Sequence, residues 1–312
     1  MYEIITIGSS LIDSFIRSSK FNSHSNGVNA NICLTYGAKN EVDEYILRTG
    51  GGGSNTAVGF ARMGYRTGVV TELGSDIFAK IILDDFRSEF VSTNLVTSEK
   101  QEKTGGSIIL LGSDGGRTVM VNRGASSMLD PEDIPTANIS RADWIHIASI
   151  SGRLKTLERI FAALKKANIG FSWNPGKKEL ALISEGEIQF KEISCQLMFL
   201  NQEEWESIKD KQQDVLYHVK QVIVTNGKKG GKVFVGEDEV AEFKSGENRS
   251  VDDTGAGDAF AVGYVTAHLK GKIISECCEW GKSNAVSVIG QIGAKPGLLT
   301  LKQIKAHNSK SN

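Results

Sequence analysis

The stretch Asp252-Asp253-Thr254-Gly255-Ala256-Gly257-Asp258-Ala259-Phe260 runs three small residues straight into a segment, Ala256 to Lys270, that reads as an amphipathic helix. The N–H groups of Gly255, Ala256 and Gly257, with the positive end of that helix, make a site for an anion or for charge developing on a phosphoryl group. Asp258 falls in the first turn, beside this anion site. A carboxylate there is an odd cap partner for bound phosphate but a natural base for the proton of an attacking hydroxyl. The plainer reading is a tight turn at Gly255 and Gly257, with Asp258 as a first-turn acid favoured by the helix dipole.

Outward from this stretch, apolar strand-like runs alternate with helical patterns. Strands are predicted at Trp144–Ala148, Ile169–Trp173, Leu197–Leu200 and Val222–Thr225, with a helix from Lys155 to Ala167 and another from Ile274 to Ile289. Such alternation predicts an α/β fold, a doubly wound and mainly parallel sheet flanked by helices. The N-terminal part adds a strand from Glu3 to Gly8, a helix from Ser54 to Met63 and a strand from Gly68 to Thr71. A further helix, Ser75 to Phe90, takes Ser75 as its cap and Ile77, Ile81, Phe86 and Phe90 as its apolar side. Short strands at Ile32–Thr35 and Glu44–Arg48, and a hairpin pattern at Ser107–Leu111 and Thr118–Asn122 around residues 112–116, predict a small sheet. No repeat or linker divides the chain. One domain, 1–312, is expected, with a small β lid inserted within about 14–49 and 107–122 and a polar tail fraying from His307.

Composition narrows the function. Among 312 residues, 36 Lys+Arg against 37 Asp+Glu give a net charge of −1, which argues against a nucleic-acid or anionic-membrane partner held by bulk charge. No run approaches the ~18 apolar residues of a membrane span. The N-terminus reads directly as a strand, without a basic leader, so a cytoplasmic enzyme is expected. Cys33, Cys195, Cys277 and Cys278 lack metal spacing and fit a reduced compartment, and the five histidines are scattered. Gly281-Lys282-Ser283 fails as a P-loop because Glu276 stands at the upstream glycine position.

A second glycine cluster, Gly50-Gly51-Gly52-Gly53-Ser54-Asn55, precedes a helix. It fails the dinucleotide pattern, because Asn55 stands where the last glycine belongs. Its glycines let backbone approach a polar ligand, and Asn55 can both donate and accept hydrogen bonds. The plainer reading is a loop with unusual φ values and Asn55 as a cap.

In this order, GGGGSNTAVGFARMG (50–64) and DTGAGDAF (253–260) resemble the two signatures of the ribokinase-like, or PfkB, family of carbohydrate and nucleoside kinases. The resemblance implies an ATP- and Mg²⁺-dependent phosphotransferase acting on a hydroxymethyl group of a sugar or sugar-like substrate, with Asp258 as base and Gly255–Gly257 as anion hole. It implies that Asp13, Gly51, Gly52 and Asn55 bind the acceptor, and that Asn201 and Glu204 serve Mg²⁺ through water. Thr225, Gly227, Lys228 and Gly230 would lie on the nucleotide side, and Asp252 with Thr254 would hold a monovalent cation such as K⁺. Members often dimerise through the lid, which makes a homodimer the expectation. Plainer readings stand beside these. Asp13 could be a strand-end turn residue, Asn201 and Glu204 a capping box, and Asp252 with Thr254 an Asx turn. Gly52 replaces the lysine that ribokinases proper carry, and Lys282 falls near the position of the usual base-contacting Asn. A nucleoside kinase and a catalytically silent sugar- or nucleotide-binding regulator are the alternatives, and the intact Asp258 argues against the second.

Overall fold

The computed structural model describes residues 1–21, 23–25, 30–99, 101–112, 117–245 and 250–309. In chain order its strands are β1 (Ile4–Ile7), β2 (Leu11–Arg17), β3 (Ser23–Ser25), β4 (Ala30–Ile32), β5 (Glu44–Gly50), β6 (Thr67–Leu73), β7 (Val96–Ser98) and β8 (Thr104–Leu111). They continue as β9 (Arg117–Gly124), β10 (Trp144–Ile147), β11 (Phe171–Trp173), β12 (Leu197–Asn201), β13 (Gln221–Thr225), β14 (Gly231–Val235) and β15 (Asp238–Phe243). The helices are α1 (Gly52–Arg62), α2 (Ile77–Ser88), α3 (Thr136–Ile139), α4 (Leu154–Ala167), α5 (Lys177–Glu185), α6 (Gln202–Ser207), α7 (Gln212–His218), α8 (Ala256–Leu269), α9 (Ile274–Ile289) and α10 (Leu301–Asn308).

Among the described residues, nine strands form the main sheet in the order β7-β6-β1-β10-β11-β12-β13-β14-β15. Pairing is parallel from β7 to β13 and antiparallel in the last two pairs. Every residue of β1 and β10 is buried, the pattern of strands covered on both faces. Ile5 and Ile7 turn toward α4, α5 and α7, whereas Ile4 packs with α1, α8 and α9 on the opposite face. This is the doubly wound sheet that the alternation predicts. Among the described residues no helix is long and apolar enough to cross a membrane.

The small sheet has the order β5-β2-β8-β9, and β3 pairs with β4 in a separate ribbon. The expected strand at Ile32–Thr35 is therefore not part of it: β4 ends at Ile32. Its central strand is instead β2, which the sequence reading passed over because Asp13 and Ser14 interrupt an otherwise apolar run. Phe15, Ile109 and Leu111 make its small core, which packs against Ile292 of the main body. The β8–β9 pairing matches the hairpin expectation. Residues 113–116 of its turn lie outside the described residues, as do residues 22 and 26–29.

Three other expectations change. Helix α2 starts at Ile77 and is capped by Asp76, whose carboxylate accepts from the Ala79 N–H at 2.9 Å. Ser75 instead faces Ser98 and the Glu99 carbonyl. The buried side of α2 is Ala79, Ile82 and Phe86, while Ile77 and Ile81 are exposed and Phe90 lies past the helix end. Adjacent Ile81 and Ile82 let the helical phase be read one residue off. Helix α8 is not amphipathic: it is buried continuously from Ala259 to Ala267, because α1, α9 and β12 surround it. His307 belongs to α10, capped by Thr300, so the chain is helical there instead of frayed.

A buried charge fastens these parts together. The Lys295 ammonium donates to Asp85 of α2 at 2.6 Å, to Ser54 of α1 at 2.7 Å and to Thr49 of β5 at 2.9 Å. Burial pushes its pKa down, and Asp85 opposes that shift. Removing one partner of such a pair strands the other charge, so Lys295→Met should cost about 3 kcal/mol or more. Lys295→Met with Asp85→Leu should recover most of that loss. Urea titration checks both. Equal midpoints for the single variant and the unmodified chain would show that the pair contributes nothing.

Candidate active site

The contact between the end of β1 and the start of α1 sets the first half of the site. Thr6 donates its hydroxyl proton to the Gly53 carbonyl at 3.1 Å, and the Ser54 N–H donates to the Ser9 carbonyl at 3.1 Å. Gly53 thus lies backbone to backbone on Gly8, where a Cβ would collide with the Gly8 carbonyl. This contact starts α1 two residues before the expected Ser54, with Gly51 as its cap. It also turns Asn55 inward, where its Nδ2 donates to Asp258 Oδ2 at 2.8 Å. Asn55 Oδ1 is buried without a partner, an acceptor open to a ligand hydroxyl.

The second half is the N-terminus of α8. Gly255 caps it at φ 78 with no side-chain cap, a left-handed conformation suited to glycine, with Ala294 packed where a Cβ would project. The N–H groups of Gly257 and Asp258 donate to no other backbone group among the described residues. Asp258 is half-buried, and desolvation pushes its carboxyl up against the lowering effect of Asn55. A raised pKa makes its carboxylate a better proton acceptor.

Two cavities meet at this turn. One, of about 390 Å³, is lined by Asp13, Gly51, Gly52, Asn55, Glu204, Thr254, Gly255 and Asp258. The other, of about 250 Å³, is lined by Thr225, Gly227, Lys228, Gly230, Asp253, Ala256 and Gly257, with apolar walls from Phe243, Phe260 and Ile289. The Asp13, Glu204 and Asp258 carboxylates and the orphan amide oxygen thus face one side, and the more apolar cavity, with Asp253 at its edge, the other. Lys282, flagged by the sequence, lines the second cavity and pairs with Glu279.

Asp13 sits inside β2, not in a turn, and accepts a short hydrogen bond from Ser107 of β8. Burial pushes its carboxyl up to about 6. Asn201 and Glu204 form a reciprocal capping box: Glu204 N–H donates to Asn201 Oδ1 at 2.9 Å, and Asn201 N–H donates to Glu204 Oε2 at 2.8 Å. Asn201 lines neither cavity, so the plainer reading is the one realised for it. Glu204 reaches the first cavity, where burial and the charges of Glu203 and Asp258 raise its pKa. Among the described residues no three His, Cys, Asp or Glu side chains cluster as a metal cage. One carboxylate in a negative pocket nonetheless fits Mg²⁺, which keeps several waters and takes phosphate oxygens. Asp252 lies behind the turn, accepting from Thr254 N–H at 3.0 Å, Thr254 Oγ1 at 2.6 Å and Gly293 N–H at 2.9 Å. Arg117 stands 3.6 Å from it, so its charge is already answered, and these residues fit an Asx turn better than a cation site.

Sequence reasoning missed Ser107, Arg117 and Arg123, which also line the first cavity. The period-two alternation Arg117, Val119, Val121, Arg123 was the available signal.

The Asp13 shift carries a stability consequence. Between 3.8 and about 6 the folded chain holds a proton at Asp13 that the unfolded chain has released. Ionised Asp13 therefore costs stability, a cost absent at low pH that grows up to about 6 and stays constant above. Asp13→Asn should stabilise the chain by roughly 2 kcal/mol near pH 7.5 and hardly at all near pH 4. Thermal melts at the two pH values test this, and equal shifts at both would place the effect elsewhere.

Comparison with known proteins gives the family. The model of the pfkB family of carbohydrate kinases matches residues 3–301. An uncharacterized sugar kinase of Archaeoglobus fulgidus is 27% identical over 253 residues, covering 77% of this chain and 98% of the relative. A ribokinase of Staphylococcus aureus is 24% identical over 316 residues, covering 97% and 98%. The structure of Arabidopsis thaliana ribokinase complexed with ribose and ATP superposes with a TM-score of 0.78 at 21% identity, covering 98% of each chain. With the family model spanning nearly the whole sequence, the chain belongs to the pfkB family of carbohydrate kinases.

Proposed function

We propose that this kinase transfers the γ-phosphoryl group of ATP to a hydroxymethyl group of a sugar or sugar-like alcohol. The observation that carries this reading is the α8 N-terminus, which forms a shared wall of the two cavities, with Asp258 on one side and Gly257 on the other. The acceptor lies in the cavity of Asp13 and Asn55, and the nucleotide in that of Thr225, Gly227, Lys228 and Gly230. Asn55 Oδ1 and the Asp13 carboxylate hold substrate hydroxyls. Asn55 Nδ2 fixes the Asp258 carboxylate, which takes the hydroxyl proton as the oxygen attacks phosphorus. The open amides at the end of the Gly255–Gly257 turn, those of Gly257 and Asp258, receive the charge that develops on the transferring group, while the Ala256 N–H is held by the Asp253 carbonyl at 3.3 Å. Mg²⁺, when bound, would neutralise phosphate charge, with Glu204 holding it through water and Asn201 positioning Glu204. The Asp252–Thr254 turn supports the anion hole, and no step is assigned to K⁺. The small sheet acts as a lid that keeps water from the phosphoryl group.

The outer face of that sheet supports a lid-to-lid homodimer. Leu47, Ser14, Ile108 and Met120 lie in one row across all four strands, and Leu47, Ile108 and Met120 are each more than 40% exposed. An apolar row of this kind suits a second copy.

Purified protein with ATP, Mg²⁺ and a panel of sugars and nucleosides should release ADP only with a sugar-like acceptor present. No acceptor-dependent ADP would overturn the reading in favour of a silent binder, and nucleosides outpacing every sugar would move it to a nucleoside kinase. Asp258→Asn should lower kcat at least ~10²-fold with acceptor affinity largely retained. A rate within a few-fold of the unmodified enzyme would remove Asp258 as base. Light scattering at micromolar concentration should give a dimer mass, and Ile108→Glu a monomer. A monomer mass for the unmodified chain, with or without ligands, would exclude this interface.

A further inference from the structure

Strand β9 presents Arg117, Val119, Val121 and Arg123 to the acceptor cavity, a guanidinium at each end of an aliphatic pair. The two arginines differ in their surroundings. Arg117 has Asp252 at 3.6 Å and Asp253 at 3.9 Å, so protein carboxylates balance it. Arg123 is half-buried against the cavity and makes no ion pair or side-chain hydrogen bond among the described residues. None of the cavity carboxylates serves it.

The register locates the unmatched cation. Asp13 of β2 pairs with Ser107 of β8, and Ser107 pairs with Val121 of β9. Arg123 is the next residue on that face, about 7 Å further along the strand. Thr104 opposite Gly124 and Gly106 opposite Asn122 put Gly105 beside it, so no side chain on β8 separates Arg123 from the cavity mouth. A cation partly removed from water without a counter-ion is costly, and an anionic ligand offsets that cost.

We propose, building on the kinase reading, that the acceptor carries an anionic group, a carboxylate or a phosphate, at the end away from the reacting hydroxyl, and that Arg123 recognises it. The hydroxyl-bearing part lies on the Asp13–Ser107 row and at Asn55, its carbon chain runs along Val121, and its charge ends on the guanidinium. Planar carboxylate and tetrahedral phosphate both suit the guanidinium fork.

Sugar acids of the aldonic type, sugar monophosphates and their neutral parents should be compared as acceptors with the unmodified enzyme, Arg123→Gln and Arg123→Lys. At least one anionic acceptor should have a higher kcat/KM than its neutral parent, and the two anionic arms identify carboxylate or phosphate. Arg123→Gln should lower that preference about 10- to 100-fold, through KM more than kcat, and Arg123→Lys by less. A neutral sugar preferred over every anionic one, or an equal loss on both classes in Arg123→Gln, overturns the inference and leaves the kinase reading intact. Thermal stabilisation by the same compounds without ATP separates the two failures. Stabilisation by an anionic sugar that vanishes in Arg123→Gln supports the subsite even where no acceptor is phosphorylated, and equal stabilisation of both proteins overturns it.

Discussion

The hydrogen bond from Asn55 Nδ2 to Asp258 Oδ2 joins residues 203 positions apart, and both halves of the site hang on it. It forms only because α1 starts hard against the end of β1, with Gly53 on Gly8, and because Gly255 lets α8 begin with open amides. Each side constrains the other. A side chain at either glycine would displace its helix, and a shift of one helix would leave Asp258 buried without its donor. The half-burial that raises the Asp258 carboxyl is also what makes its hydrogen bond from Asn55 decisive.

The small sheet adds a second constraint of a different kind. Its core is only Phe15, Ile109 and Leu111, too little to hold four strands alone, so it depends on Ile292 and on the continuity of β2 and β5 with the main body. Those two strands carry Asp13 and lead into the glycine loop. The same short ladder therefore both lines the first cavity and anchors the small sheet to the main body.

What was legible in the sequence was what depends on local pattern. The parallel strands announced themselves as buried apolar runs, and the small-residue turn before Asp258 announced the start of α8. What escaped was set by partners distant in the chain. Strand β2 hid because Asp13 and Ser14 break its apolar run, and those breaks are where it meets Ser107 and the outer face. The phase of α2 slipped between Ile81 and Ile82, which only the packing of Phe86 resolves. Asn201 and Glu204 allowed two readings from one spacing, and their reciprocal hydrogen bonds satisfy the capping one while Glu204 still reaches the cavity. Lys295 gave no local sign, since its three partners come from three separate elements.

The segment 293–295 touches both glycine motifs. Gly293 donates to Asp252, Ala294 fills the space beneath Gly255, and Lys295 grips Thr49 and Ser54 on either side of the first glycine run. During synthesis on the ribosome these residues follow both motifs, the first by more than two hundred positions and the second by about 35. Until they are made, both motifs lack contacts that fasten them in the folded chain. The two halves of the site are therefore fastened together by a segment that follows both in the order of synthesis.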